Sequence, residues 1–131
     1  MLFRSAGEFR SIAQPAVLYD APSVRATKLY VIGRQAPVEL IASDGTWAKV
    51  RDVSGELAWV AKEALSDNRT VVVTASVADI REKPEEQAPI AFRAQQGVVL
   101  ELVDLDRIGW VHVRHRDGAV GYVRLSEVWG I

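Results

Sequence analysis

The chain contains no cysteine, only two histidines and no long apolar run. Without cysteine it has neither a disulfide framework nor a thiol nucleophile, so cysteine catalysis is excluded and cysteine usage does not indicate a compartment. No segment approaches the roughly twenty apolar residues that a membrane-spanning helix needs. The N-terminal sequence MLFRSAGEFR also lacks the apolar core of a signal peptide. We therefore predict that the chain does not span a membrane.

An excess of charge of one sign is lacking as well. The net charge is −1, and acidic and basic residues are spread over both halves of the chain. The only basic cluster, Arg114-His115-Arg116, would be divided between the two faces of a β-strand. This distribution argues against a nucleic-acid partner and against an anionic membrane surface.

The motifs of common enzymes are also missing. The chain has no Gly-x-Ser-x-Gly elbow, no P-loop and no dinucleotide fingerprint. His112 and His115 lie on a predicted strand at a spacing that points them to opposite faces, which does not suit a shared metal ion. Acidic pairs such as Glu85-Glu86 fall in predicted turns, where they are interpreted as solvated charges. The sequence predicts no enzyme, no cofactor and no metal site.

An internal repeat is the main positive feature. The segment at 47–60, WAKVRDVSGELAWV, returns sixty-three residues later at 110–123 as WVHVRHRDGAVGYV. Trp47 then falls on Trp110, and Trp59 falls opposite Tyr122. In each copy a polar turn with glycine separates two apolar runs, which predicts a β-hairpin.

The repeat continues upstream at an offset of sixty-two, where AVLYDAPS at 16–23 matches ADIREKPE at 78–85. Both copies therefore have a first strand that ends in a proline-containing loop. One inserted residue in the turn at 104–109 restores the larger offset. No window has a sustained helical period, and the segments after the two hairpins are long enough for only a short helical turn. The pattern predicts an all-β protein of two related units.

We divide the chain accordingly into three parts. Residues 1–10 are interpreted as a loose tail, a cloning remnant or an added edge strand. Residues 11–67 form the first unit and residues 70–131 the second. Each unit has about sixty residues, near the lower limit for independent folding, so we expect the two to pack together.

The repeated hairpins place their tryptophans on a distinctive face. Because side chains alternate along a strand, Trp110 lies opposite Val111 and Val113, and Trp47 lies similarly in the first copy. If the small aliphatic residues fill the core, the tryptophans do not, and a duplicated site predicts the same behaviour at both positions. Several other recurring residues are interpreted as structural: Tyr19, Tyr30 and Phe92 as packing residues, and Arg51 and Arg114 as ion-pair partners.

Taken in order, these features resemble the bacterial Src-homology-3-like (SH3b) domain family over about residues 11–129. The resemblance rests on the proline loop, a VELI or LELV strand, a Gly-x-Trp or Gly-Trp start to the hairpin, and a small-aromatic-Val ending at Ala58-Trp59-Val60 and Gly121-Tyr122-Val123. It implies two tandem small SH3-like β-barrels, each with five to six strands and a short helical turn. Eukaryotic members that bind proline-rich peptides carry a Pro and a Tyr after this ending. Those residues are replaced here, so polyproline recognition is not expected.

The resemblance also implies a function, because bacterial members are mostly envelope or wall-associated binding modules. It suggests a periplasmic or secreted, non-catalytic module whose partner is a peptidoglycan-derived peptide or a protein. Four aromatic residues would line its ligand groove: Trp47, Trp59, Trp110 and Tyr122. The residues alone leave a second interpretation open, a structural or regulatory adaptor without a small ligand, in which some of these aromatics join the two units. Exposed tryptophans would favour the ligand groove over the adaptor. The sequence indicates neither the ligand nor the oligomeric state.

Overall fold

The computed structural model describes residues 8–105 and 108–131. Within these ranges the chain consists of strands, loops and two single turns of 3-10 helix, which confirms the predicted all-β class. The chain divides into two compact units, one that reaches Arg69 and includes Gly130–Ile131, and one that spans Thr70–Trp129. None of the described helical segments has the length and hydrophobicity needed to cross a membrane.

The first unit is a seven-stranded antiparallel sheet. Its strands are β1 (Phe9–Ile12), β2 (Ala16–Tyr19), β3 (Lys28–Ile32), β4 (Pro37–Asp44), β5 (Trp47–Arg51), β6 (Leu57–Ala61) and β7 (Leu65–Ser66). They lie in the order β3-β2-β6-β5-β4-β1-β7. A 3-10 turn at Lys62–Ala64 joins β6 to β7. Antiparallel neighbours need only short connections, which is why so small a unit accommodates so many strands.

The second unit repeats this topology strand for strand. Its strands are β8 (Thr70–Val73), β9 (Val77–Arg81), β10 (Ile90–Gln95), β11 (Val99–Asp104), β12 (Trp110–Arg114), β13 (Val120–Arg124) and β14 (Val128–Trp129). Their order is β10-β9-β13-β12-β11-β8-β14, and a 3-10 turn at Leu125–Glu127 precedes β14. The repeat in the sequence is therefore a repeat of the fold.

The closed barrel of five to six strands that the family resemblance implies is not what the structure shows. Each unit has seven strands, and among the described residues the two end strands of each sheet are not neighbours. The last strands, β7 and β14, have two residues each, too few to bridge the sheet into a ring. Register shifts after Leu18 and Leu40 interrupt the ladders, and such bulges bend a strand.

The first strand also begins earlier than the predicted boundary at residue 11. Phe9 is the first residue of β1, and its side chain is only 5% exposed. The strand pairs with β4 on one side and β7 on the other, so it lies inside the sheet rather than at an edge. Burial of Phe9 accounts for its place in the fold. Residues 1–7, the rest of the predicted tail, lie outside the described residues.

The cores are built from the small aliphatic faces of the hairpins, as predicted. In the first unit Ala48, Val50, Ala58 and Val60 are buried together with Ile12 and other aliphatic residues. In the second unit Val111, Val113 and Val123 are completely buried. Each hairpin turn depends on a glycine in the left-handed region, Gly55 at φ +93 and Gly118 at φ +98, where other residues are strained.

The recurring arginines form structural ion pairs, which confirms their interpretation from the sequence. Arg51 Nε lies 3.5 Å from Glu39 Oε1, and Arg114 Nε lies 2.9 Å from Glu101 Oε1. In both units the partners are directly opposite each other on neighbouring strands. Opposite charges at such positions stabilise the pairing of the strands modestly.

A tighter contact ties the first hairpin turn to β3. The Tyr30 hydroxyl donates a hydrogen bond to Asp52 Oδ2, and Ser54 donates to the other carboxylate oxygen. Partial burial acts to raise the pKa of Asp52, but the hydrogen bonds from Ser54 and Tyr30 outweigh it and lower that pKa. Burial and the hydrogen bond to Asp52 raise the pKa of Tyr30 above its ordinary value.

Tyr30→Phe should reduce the dependence of stability on acid pH. A carboxylate with a lowered pKa contributes stability above its unfolded value, near 3.8 for Asp52, and loses it as the pH falls through the folded value. We expect the variant to lose about 1 kcal/mol near neutral pH, the usual contribution of one such hydrogen bond. Urea unfolding between pH 2 and 7 measures both effects. Tyr19→Phe is the control, because it removes a hydroxyl without altering the Tyr30–Asp52 bond, and an unchanged pH slope in Tyr30→Phe contradicts the account.

A second prediction comes from a glycine that the first unit lacks. Gly121 in β13 corresponds to Ala58 in β6, and a Cβ at Gly121 would lie 2.5 Å from Ile80 Cγ2 and 2.8 Å from the Arg81 carbonyl oxygen. Gly121→Ala should therefore lower the free energy of unfolding by about 1–3 kcal/mol, as overpacking usually does. Adding Ile80→Leu, the first unit's residue, should recover part of the loss. Denaturant melts measure this, and a fully stable single variant would contradict it.

Candidate binding groove

A groove of about 800 Å³ opens on the first unit. It lies beside β2, the loop after β2, the turn before β5, and the 3-10 turn after β6. Its wall is mostly apolar and includes Val17, Tyr19, Val24 and Trp47, while the charged Lys62 and Glu63 also line it. The volume is within the usual range of ligand pockets, which are largely apolar with a few polar groups.

The pairing of β5 with β6 sets the direction of Trp47. Trp47 lies directly opposite Ala61, and the next pair along the hairpin is Ala48 opposite Val60. Opposite residues share a face, and the Ala48–Val60 pair is buried in the core. Trp47 and Ala61 therefore point away from the core, as predicted. Because Ala61 is small, the space above the Trp47 ring stays open.

Tyr19 completes the aromatic wall. Its ring meets the Trp47 ring edge to face, with 5.4 Å between centroids and 89° between planes. This is a favourable geometry for two aromatic rings, and it holds both in place. Both side chains are partly exposed. Tyr19 was interpreted from the sequence only as a packing residue, although its place next to the buried Leu18 turns it to the outer face.

The other predicted site residue of the first unit, Trp59, does not line this groove. It lies opposite Tyr19 on β2 and opposite Lys49 on β5, on the outer face of the sheet. Its counterpart Tyr122 stacks on His112, with ring centroids 4.4 Å apart and planes 12° apart. Of the four predicted aromatics, the groove of the first unit thus contains one, Trp47. The assignment of the other three to a ligand site stays a prediction.

The second unit has the same backbone at the corresponding place. Two backbone hydrogen bonds beside the groove recur there with nearly the same length. In the proline-containing loop, the bond from Asp20 N–H to Thr27 O is 3.0 Å long, and its counterpart from Glu82 N–H to Pro89 O is 2.9 Å long. Next to the tryptophan, the bond from Lys62 N–H to Thr46 O is 2.9 Å long, and its counterpart from Leu125 N–H to Gly109 O is 2.8 Å long. The proline-containing loops and the residues directly before the two tryptophans therefore share these backbone hydrogen bonds.

The side chains on this shared backbone differ in character. In the repeat alignment, four apolar residues of the first unit are replaced by charged ones: Val17 by Asp79, Tyr19 by Arg81, Val24 by Glu86 and Ala61 by Arg124. All four apolar residues line the groove. The second unit thus places a cluster of charges where the first has an apolar wall.

These replacements change the surroundings of Trp110, which is only 7% exposed. The Arg124 guanidinium carbon lies 5.0 Å from the centroid of the Trp110 ring, and Arg124 also forms an ion pair with Glu86. The two tryptophans therefore differ in exposure, whereas a duplicated site predicts the same behaviour at both positions. Trp110 does lie opposite the core face, but the residue across the hairpin from it is a long cation rather than an alanine.

Neighbouring charges complete this cluster. Arg93 Nε lies 2.8 Å from Asp79 Oδ1, and Arg81 Nη2 lies 3.7 Å from Asp79 Oδ2. Burial and the nearby Asp79 carboxylate raise the pKa of Glu127, while Arg124 acts in the opposite direction. These contacts hold the charged side chains against one another.

The two histidines have separate partners. His112 stacks on Tyr122, whereas the His115 ring lies against Phe92 with 6.1 Å between centroids. His115 itself follows the last residue of β12, so it is part of the turn rather than of the strand. The described residues contain no group of three or more His, Asp or Glu side chains arranged to hold a metal ion.

Replacing the two tryptophans should have unequal effects on stability. Trp110→Ala empties a buried aromatic site and should cost on the order of 3–5 kcal/mol. Trp47 is partly exposed at an open groove, so Trp47→Ala should cost about 1 kcal/mol or less. Denaturant unfolding of both variants measures the difference. Equal losses would contradict the distinction between an open and a covered site.

Comparison with solved structures finds similar chains of low identity, among them the following two. NlpC1 from Trichomonas vaginalis matches with 17% identity and a TM-score of 0.42, over 98% of this chain and 50% of that one. An NlpC/P60 family protein from Bacillus cereus ATCC 10987 matches with 15% identity and a TM-score of 0.44, over 93% of this chain and 56% of that one. The present chain thus spans about half the length of these structures.

No curated protein matches the sequence of this chain. The family comparison is decisive, because the model of the bacterial SH3 domain matches twice, over residues 13–67 and over residues 75–130. Each match corresponds to one of the two seven-stranded units. The chain belongs to the bacterial SH3 domain family, of which it carries two tandem copies.

Proposed function

We propose that this chain is a non-catalytic binding module of the bacterial cell envelope. In this proposal the first unit holds a peptide derived from peptidoglycan in the groove beside Trp47. The observation that carries the proposal is the partly exposed Tyr19–Trp47 pair on an open, mostly apolar groove. Membership of the bacterial SH3 family supports a place outside the cytoplasm.

The chemistry of the groove suits a short peptide. Rigid aromatic rings provide a large contact area at a low cost in conformational entropy, so they serve well as anchors for side chains. Lys62 and Glu63 add one positive and one negative group next to this apolar wall. A peptide with a free carboxylate and a free amine has partners for both. Apolar contact would provide affinity, and the charges would set the orientation.

Binding rather than catalysis is supported by the composition of the same wall. No histidine or cysteine is among the residues that line the groove of the first unit. The Ser–His or Cys–His pair that many covalent catalysts use is therefore not present on this wall. A binding role requires only shape, apolar surface and a few polar groups, all of which the groove has.

A protein partner is the second candidate, and a different surface favours it. The edge strand β3 exposes Leu29 and Val31, which are 43% and 65% exposed. An exposed apolar edge can pair with a strand of another chain. In the second unit the residue at the position of Val31 is Arg93, which pairs with Asp79. The adaptor function would therefore use the edge of the first unit and not the groove.

Isothermal titration calorimetry with a purified disaccharide-tetrapeptide from peptidoglycan tests the choice. Trp47→Ala should weaken binding by about 2 kcal/mol, or roughly thirtyfold, because a central aromatic anchor is lost. Val31→Arg, which copies the second unit, is the matched control and should bind like the wild type. Absence of binding by the wild type, or equal binding by Trp47→Ala, would contradict the groove proposal. A partner protein whose binding is abolished by Val31→Arg alone would establish the adaptor function.

A further inference from the structure

We propose that Arg124 and Glu86 form a latch that keeps the corresponding groove of the second unit closed. Arg124 lies across the Trp110 ring, and its guanidinium group is held there by the Glu86 carboxylate. Trp110 is consequently buried, although it occupies the position at which the first unit exposes an aromatic ring. If the first unit binds its ligand beside Trp47, as proposed above, the latch confines ligand binding to that unit. This consequence rests on the proposed function.

The pairing of two strands and the backbone of one loop bring the two latch residues together. Arg124 is directly opposite Trp110 on the paired strands β13 and β12, so its side chain rises on the same face as the ring. A guanidinium above an indole face is attracted by the ring quadrupole. Glu86 is in the turn of the proline-containing loop, where the Ala88 N–H to Glu85 O hydrogen bond of 3.2 Å holds the backbone.

The first unit shows what the same backbone looks like without the latch. Its equivalent loop has the matching hydrogen bond, Ala26 N–H to Ser23 O at 3.0 Å. At the two latch positions it has Ala61 and Val24, and both line the open groove. The difference between an open and a covered tryptophan therefore coincides with replaced side chains, the two latch residues among them, and not with a change in the order of the strands.

The two side chains of the latch are exposed and are not part of the core. The side chains of Arg124 and Glu86 are 42% and 59% exposed, so separating them leaves both charges in contact with water. An exposed ion pair contributes little to stability, in contrast to a buried pair, whose separation strands a charge. Replacing both residues by those of the first unit should therefore uncover Trp110 and leave the sheet intact.

The experiment uses the full chain labelled with 5-fluorotryptophan. Its four tryptophans give four fluorine resonances, each assigned with a Trp→Phe variant, and the shift of each on exchange of H₂O for D₂O reports contact with solvent. In the wild type we expect a clear solvent shift at Trp47 and little at Trp110. In the Glu86→Val/Arg124→Ala variant the Trp110 shift should rise to the value of Trp47. In this variant, a Trp110 resonance that still does not shift on exchange of H₂O for D₂O, while the other three resonances keep their wild-type solvent shifts, would overturn the latch.

The reciprocal graft keeps the proposal testable if the first variant unfolds. Val24→Glu with Ala61→Arg places the latch on the first unit, and the solvent shift of Trp47 should fall to that of Trp110 in the wild type. An undiminished shift at Trp47 would overturn the proposal.

Adding the disaccharide-tetrapeptide separates the two claims. In the wild type it should move the Trp47 resonance alone, and in the Glu86→Val/Arg124→Ala variant the Trp110 resonance as well. A Trp110 resonance that moves equally in the wild type would overturn the latch. If no resonance responds to the peptide while the solvent shifts change as expected, the latch stands and the proposed ligand is wrong.

Discussion

The register of the two hairpins is the constraint on which the rest of the structure depends. In β5 and β6, directly opposite residues share a face, so burial of the Ala48–Val60 pair turns the Trp47–Ala61 pair outward. The same pairing in β12 and β13 turns Trp110 and Arg124 outward together. A slip by one residue would exchange the faces and bury the long side chains in a core of small ones. The core therefore fixes where each aromatic ring can go.

Because the core and the backbone hydrogen bonds determine the framework, the outer face is free to differ between the units. The loops and turns around the tryptophans match in their hydrogen bonds, yet four apolar groove positions of the first unit are charged in the second. None of the four side chains fills a core. A duplicated fold can thus hold one open groove and one covered counterpart at little cost to its stability, since surface substitutions usually change stability only slightly.

Most of the fold was predictable from the sequence, and the groove only in part. The repeat, the hairpins and the outward direction of Trp47 follow from spacing and alternation, which are local properties. Two features were not predicted, the place of Phe9 inside the sheet rather than at its edge and the burial of Trp110. The first depends on pairing with a strand about thirty residues away, and the second on Glu86, which the fold brings to Arg124 from a separate loop. The hairpin register did contain a signal, because Arg124 aligns opposite Trp110 where Ala61 aligns opposite Trp47.

The central claim is that, of the two equivalent positions beside Trp47 and Trp110, only the one beside Trp47 forms an open groove. Its most direct test is a map of backbone amide chemical shifts in the full chain, recorded while the disaccharide-tetrapeptide is added. The account predicts that the perturbed amides cluster at residues 16–19, 45–47 and 60–64, which contribute to the groove of the first unit. It predicts no change at the equivalent residues 78–81, 108–110 and 123–127. Comparable perturbation of both sets, or of the second set alone, would contradict it.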